Sequence, residues 1–401
     1  MTPPLHGLRV LDFTWALAGP FATIQLADLG AEVVRVERTG ISELQRGLGP
    51  HIEGLSTFFF TTARGKKSIC IDLASETGAG IARRLAEQAD VVVSNFRPGT
   101  MERHGLGYED LRTANPRLIW AAISGYGLSG PNRHLSSADA IAQAMGGTMS
   151  LNGYPDRGPL RIGAPVGDTV AGLYLAIAVL AALQARHETG EGQAIDIALT
   201  ETQMALCDFD IVRHSATGEA PAQMGSRHPS MAPFGPFPAA DGYLVVANIT
   251  DWPKFCNLIG RDDLTLDDRF RGNRGRVTNV DLLEEALIPT LRTKSVQAWL
   301  DILQQSGVGS FSRVNAIPDL ATDVQVVARG MLVEVPLPYG KPGTWTVPAS
   351  PLHLSRTPAA PPTRMPEYGE HTDEVLASWL SLEGEEVAHL RESGAFGSPL
   401  V

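Results

Sequence analysis

A single carboxylate, Asp168, sits between a glycine-bearing turn and a long apolar run, a setting suited to nucleophilic chemistry. Pro165 and Gly167 precede it and Gly172 follows one turn later, so few neighbouring side chains cover it. A bare carboxylate on a rigid turn can attack a carbonyl carbon. The run at 173–183 is rich in Ala and Leu and has no breaker, which predicts a helix buried on most sides. Asp168 then falls at or near the N-cap, where backbone N–H groups and the helix dipole favour negative charge. Capping alone would also account for an aspartate here; what favours chemistry is the small, rigid company it keeps.

The elements that must position this carboxylate alternate between strand and helix. Short β-branched runs at 9–13, 32–37, 68–72, 90–94 and 118–123 read as strands, with helical patterns at 23–29 and 78–88 between them. Such alternation implies right-handed βαβ units and a parallel sheet covered on both faces, an α/β fold. These sheets bind ligands at the carboxyl ends of their strands. Arg38, Asn95, Phe96, Arg97 and Arg103 follow strand ends, and Lys66 and Lys67 precede the run at 68. Cations for phosphates, an aromatic ring for stacking and an amide for hydrogen bonds suit a phosphate-bearing ligand with an aromatic base. Taken singly, each also fits a solvated surface side chain.

The chain of 401 residues, 43% hydrophobic and 19% charged, is long enough for two domains with sizeable cores. A large α/β domain is expected at 1–200, completed by 345–401, with a smaller α+β domain at 225–330 and linkers at 201–224 and 331–344. A formal charge of -11 argues against nucleic acid as a partner, which needs a basic face. Cys70, Cys207 and Cys256 form no CxxC pair, so a reducing compartment and no metal site are expected. The opening residues lack the basic and apolar regions of a signal peptide, and no uninterrupted apolar run reaches the roughly 18 residues that span a bilayer. The expectation is a soluble, cytoplasmic chain without a membrane partner. No GxGxxG follows a strand, and neither a GxxxxGK[ST] loop nor a GxSxG elbow is present, which excludes the nucleotide and hydrolase signatures those motifs mark.

One set of motifs runs nearly end to end. It comprises Ala18-Gly19-Pro20, Glu37-Arg38, Lys66-Lys67, Asn95-Phe96-Arg97-Pro98-Gly99, Ala142-Gln143, Gly167-Asp168 and the late Gly369-Glu370-His371-Thr372. In these the chain resembles the class III CoA-transferases, the family of formyl-CoA transferase and carnitine CoA-transferase. The resemblance implies a large Rossmann-like domain, a smaller domain and an interlocked homodimer. It also implies that CoA and acyl-CoA come and go as substrates, with no permanently bound cofactor. Asp168 would be the catalytic residue, carrying CoA as an aspartyl thioester on its way to a small carboxylic acid. Arg38, Lys67, Asn95, Phe96 and Arg103 would hold the CoA.

By the same resemblance, the acid would be bounded by Leu17, Ala18, Arg46, Leu48, Ala138, Asp139, Gly225, Arg227 and His228. Leu17 and Leu48 stand where formyl-CoA transferases carry glutamine and tryptophan, which makes that wall larger and less polar. Arg46, Arg227 and His228 are available as partners for a second carboxylate, so a C4–C6 dicarboxylate acceptor with succinyl-CoA or a similar donor is expected. Acyl-CoA racemases of the same superfamily need a His–Asp pair to move an α-proton. Ala138 occupies the place of that histidine, which makes racemisation the runner-up, and the retained Asp168 argues against a silent CoA-binding subunit.

Overall fold

The computed structural model describes residues 2–39 and 46–396. Six apolar runs form strands: β1 Arg9–Asp12, β2 Glu32–Arg38, β3 Lys67–Ile71, β4 Val91–Ser94, β5 Ile119–Ser124 and β6 Ala194–Ala198. They lie in the order β6-β5-β4-β1-β2-β3, and all neighbours are parallel. This is a doubly wound, Rossmann-like order, and it reverses direction between β1 and β4, where such sheets open a crevice for ligands.

Successive strand residues point to opposite faces, so the sheet divides the core in two. Leu11, Val34, Ile69 and Val92 face one side, where the late helix Thr372–Leu380 adds Val375, Leu376 and Trp379. Val10, Val33, Val91 and Val93 face the other, under α1 (Ala18–Asp28), α2 (Asp139–Met145) and α3 (Val166–Thr189). The tail thus completes the larger unit; its residues 397–401 lie outside those described.

Helix α1 begins five residues before the expected start at Thr23. Gly19 and Pro20 are no obstacle, because the first turn needs no proline N–H. A buried charge cluster fixes this turn. Asp12, at the end of β1, accepts hydrogen bonds from the Thr14 amide (2.8 Å) and hydroxyl (2.5 Å), the Thr23 hydroxyl (2.6 Å) and the Lys66 ammonium (3.0 Å). Lys66 also donates to the Pro20 carbonyl at 3.1 Å and the Thr23 hydroxyl at 2.7 Å. Burial lifts the Asp12 carboxyl, but Lys66, Arg35 and the hydroxyl donors outweigh it and hold it below the ordinary range. Burial pushes the Lys66 ammonium down to about 8 against the pull of Asp12.

Helix α3 departs from the expectation twice. By length and composition it is apolar enough to cross a membrane, although no uninterrupted run was expected to be. It is also not buried on most sides. Ala171, Gly172, Leu175, Val179 and Ala182 pack inward, while Leu173 (44% exposed), Tyr174, Ile177 (60%) and Leu180 face out. Arg186 in its last turn donates to Asp90 at 3.0 Å, which ties this end of the helix to the residue before β4.

The chain divides into two compact units, one of residues 1–149, 161–219 and 328–401, the other of 150–160 and 220–327. The smaller unit has an antiparallel sheet of Gly235–Pro238, Tyr243–Ala247 and Ser310–Arg313, with helices packed through Phe255, Leu287 and Trp299. Two stretches expected as linkers are ordered structure. Within 201–224 lie most of α4 (Leu199–Leu206) and all of α5 (Asp208–Thr217). Within 331–344, Leu332–Pro336 pairs with Thr344–Pro348, because Val335 and Val347 bury against Phe59 and Phe60.

Helices α1 and α3 approach closely at Gly172, where a Cβ would stand 2.6 Å from the Ala18 carbonyl oxygen. Replacing a mid-helix glycine by alanine ordinarily stabilises by up to about 1 kcal/mol. Gly172→Ala should instead destabilise by about 1–3 kcal/mol, since the backbones must part. Urea unfolding would read the sign, and a more stable variant would contradict this packing.

Candidate active site

Asp168 is the third residue of α3, whose N-cap is Pro165, so it sits inside the first turn rather than at the cap itself. Its carboxyl is half-buried. Burial and then the neighbouring Asp139 carboxylate raise its pKa to about 6. The turn that presents it is held by Asp139, the first residue of α2. One oxygen of Asp139 accepts the Gly167 N–H at 2.8 Å, and the other accepts Arg161 Nη1 at 3.0 Å. Gly167 has to be glycine, because a Cβ there would lie 2.6 Å from the Asp139 carbonyl oxygen.

Two buried amides that sequence reasoning did not assign to the site complete the clamp. Gln143 donates to both Asp139 oxygens (3.1 and 3.0 Å) and accepts the Ile162 N–H at 2.9 Å. Gln203 donates to the Val166 carbonyl at 3.0 Å and accepts the Thr148 hydroxyl at 3.0 Å. Both are fully buried. Their one sequence signal is a polar residue within an apolar helical stretch, because a buried amide must find partners.

At the switch point of the sheet lies a cavity of about 470 Å³. It is lined from the strand ends by Phe13, Trp15, Arg38, Leu73, Phe96 and His104 among others. Arg38 and Phe96 therefore meet there as expected, with Phe96 set edge-on to Phe13 at 6.5 Å. Trp15, Leu73 and His104 were not anticipated. Arg103 stands on the adjoining turn and donates to the Thr100 hydroxyl at 3.0 Å, Thr100 itself being a lining residue. Asn95 borders the site differently: its amide oxygen accepts the Trp15 N–H at 2.9 Å and its nitrogen donates to the Trp15 carbonyl at 2.6 Å. These two bonds fix the β1–α1 turn. Lys67 does not join the cavity. It begins β3, at the amino edge of the sheet, with its ammonium 2.5 Å from Glu32 and 2.7 Å from Glu374. Asp168 is not among the lining residues.

The residues expected to bound the acid fall in both units, and each is described within its own. Leu17 is the half-buried residue before α1, and Ala18 is buried where α1 meets α3 at Gly172. Leu48 is half-buried and its carbonyl accepts the Ser56 hydroxyl. Ala138 is the exposed N-cap of α2 and carries no titratable group. Arg46 is committed elsewhere. It grips both Glu37 oxygens at 2.8 and 2.7 Å, donates to the Tyr339 hydroxyl and Pro366 carbonyl, and stacks on Phe59 at 4.1 Å. Arg227 is likewise held by Asp281 (2.7 Å) and Glu284 (3.0 and 2.7 Å) within the smaller unit. His228 packs on Phe234 at 5.0 Å and takes the Ser230 N–H at 3.1 Å. Gly225 has a positive φ and seats on Tyr154, where a Cβ would come within 2.7 Å of the ring. The two arginines expected for a second carboxylate are thus already paired with protein carboxylates.

Comparison with known proteins gives the family of the chain. Residues 5–372 match the profile of CoA-transferase family III. The chain is 38% identical to the acetyl-CoA:oxalate CoA-transferase of Acetobacter aceti, over 88% of this chain and 89% of that protein. It is 35% identical to the succinate–glutarate CoA-transferase of Agrobacterium fabrum, over 95% and 97% respectively. Among solved structures, a CAIB/BAIF family protein from Brucella suis superposes with a TM-score of 0.85 at 34% identity, covering 94% of this chain and 100% of that one.

The raised pKa of Asp168 has a consequence for stability. Its value in the folded chain exceeds the ordinary one near 3.9, so the folded state holds the proton more tightly between about pH 4 and 6. Stability therefore falls as pH rises through that window. Asp168→Asn, which removes the charge, should stabilise the protein at pH 7 by about 1–2 kcal/mol, allowing for partial exposure to water. The gain should vanish near pH 3.5. Paired urea titrations at the two pH values test this, and an equal gain at both would contradict a titrating Asp168.

Proposed function

The chain belongs to CoA-transferase family III and is a CoA-transferase, and we propose that it moves CoA between dicarboxylates through a thioester on Asp168. The observation that carries this reading is a half-buried carboxylate of raised basicity, set on a turn that Asp139 and two buried amides hold in place. At neutral pH such a group is largely ionised yet more basic than a solvated aspartate, which favours attack on a carbonyl.

The Asp168 carboxylate attacks the donor thioester carbonyl, the C–S bond breaks, and CoA leaves as thiolate from a mixed anhydride. The thiolate then attacks the aspartyl carbonyl of that anhydride, which gives aspartyl-CoA and the free donor acid. The acceptor carboxylate attacks the aspartyl thioester, thiolate leaves again, and its attack on the acceptor's acyl carbon regenerates Asp168. One thioester is exchanged for another, with no net proton transfer and no redox change. The strand-end cavity with Arg38 and Phe96 suits the nucleotide end of CoA, where Arg meets phosphate and a ring stacks on the base.

Succinyl-CoA or a similar donor and a C4–C6 dicarboxylate acceptor fit best. By the family resemblance Leu17 and Leu48 stand where formyl-CoA transferases carry glutamine and tryptophan, and the relatives are named for oxalate and for succinate and glutarate. The working form is a homodimer. The outward residues of α3 continue into Met204 and Leu206 of α4 and Phe209 (63% exposed), Ile211 and Val212 of α5. No residue of α5 is buried within this chain, and an apolar surface of that extent is covered by a second copy in the reading we adopt.

Incubation with succinyl-CoA should yield an adduct on Asp168 that hydroxylamine converts to the hydroxamate and borohydride reduces. Asp168→Ala should retain less than about a thousandth of the exchange rate while keeping its fold; greater residual activity would sink the covalent route. Light scattering should return the mass of two chains, and Phe209→Glu with Val212→Glu should shift it towards one. A monomeric parent protein would overturn the dimer.

A further inference from the structure

We propose that Arg161 is the residue that holds the far carboxylate of the dicarboxylate substrate, a proposal that rests on the reading of Asp168 as nucleophile. The two arginines picked out by sequence are occupied. Arg46 is bound to Glu37, Tyr339 and Pro366, and Arg227 to Asp281 and Glu284. Arg161 differs in availability and place. Its side chain is 45% exposed, and among the described residues a single hydrogen bond, from Nη1 to Asp139 Oδ2 at 3.0 Å, engages it. A guanidinium has five N–H donors in a planar fork, so most of the fork remains for a second carboxylate.

Its place is set by the same carboxylate that sets the nucleophile. Arg161 and the Gly167 N–H take opposite oxygens of Asp139, and Asp168 follows Gly167 directly. An acid reacting at Asp168 thus has the guanidinium one carboxylate away. The electrostatics require a cation on that side. Burial and then Asp139 raise the pKa of Asp168, and an incoming dianion would meet two carboxylates of its own sign. The substrate's near carboxylate loses its charge as it becomes an anhydride; the far one stays charged throughout and needs a lasting partner. Asp139 can share Arg161 without being stranded, because the Gly167 amide and the Gln143 amide continue to serve its oxygens.

Discharge of preformed enzyme-bound CoA onto glutarate and onto butyrate, in single turnovers, separates this role from a merely structural one. Arg161→Gln should lower the preference for glutarate over butyrate by about 30- to 100-fold, as expected for a lost charge-assisted bidentate contact. Arg161→Lys, which keeps the charge but not the fork, should recover part of it. Equal losses on both acids would overturn the proposal, since an effect through Asp139 alone would not distinguish them; so would an unchanged preference. If Arg161→Gln misfolds, the lysine variant decides, with an undiminished preference again counting against the proposal. Failure of the nucleophile reading looks different: the parent protein would then form no hydroxylamine-sensitive adduct on Asp168 from succinyl-CoA, and the subsite would fall with it.

Discussion

The site depends on a carboxylate that takes no part in the chemistry. Asp12 is wholly buried at the end of β1 and gathers Lys66, Thr14 and Thr23 around it. A buried pair of this kind adds little over an apolar substitute, yet removing one partner strands the other and costs about 3–5 kcal/mol. What the pair secures is geometry. Thr23 and the Pro20 carbonyl belong to α1, so Asp12 and Lys66 together fix how α1 leaves the sheet. Helix α1 is the surface on which α3 rests at Gly172, and α3 carries Asp168 in its first turn. The same turn puts Trp15 at the cavity, where Asn95 clamps it from β4.

Asp139 is the second organising carboxylate, and it serves opposite ends. It stabilises the turn before Asp168 by accepting the Gly167 amide, and it opposes the charge on Asp168 by standing beside it. Strain of this electrostatic kind is common where reactivity is needed, and it lowers the stability of the fold. Gln143 and Gln203 offset part of the difficulty by fixing the loop and the first turn of α3 through neutral hydrogen bonds. Neutral amides can do this without adding a further charge to a pair of carboxylates that already repel.

The α/β class, the parallel sheet and the position of five strands were legible in the chain, because β-branched runs and the breaks between them are local signals. The place of Asp168 at the start of a long helix was legible for the same reason, with its glycines and the uninterrupted run after it all lying within a few turns. Arg38 and Phe96 followed from one topological rule, that ligands meet the carboxyl ends of parallel strands. The start of α1 was not, since Gly19 and Pro20 look like breakers until the helix is known to begin with them.

The fate of each charged side chain was decided only in three dimensions. Arg46, Arg161 and Arg227 are chemically identical in the sequence. Folding places Glu37 against the first, Asp281 and Glu284 against the last, and Asp139 against Arg161. Lys66 and Lys67 are adjacent, yet one is buried on Asp12 and the other lies between Glu32 and Glu374. Periodicity determines which face of a strand or helix meets the core, because that information repeats every two or 3.6 residues. Which acid a given base will meet depends on residues up to hundreds of positions away, and the chain acquires that information only when its strands are set in order.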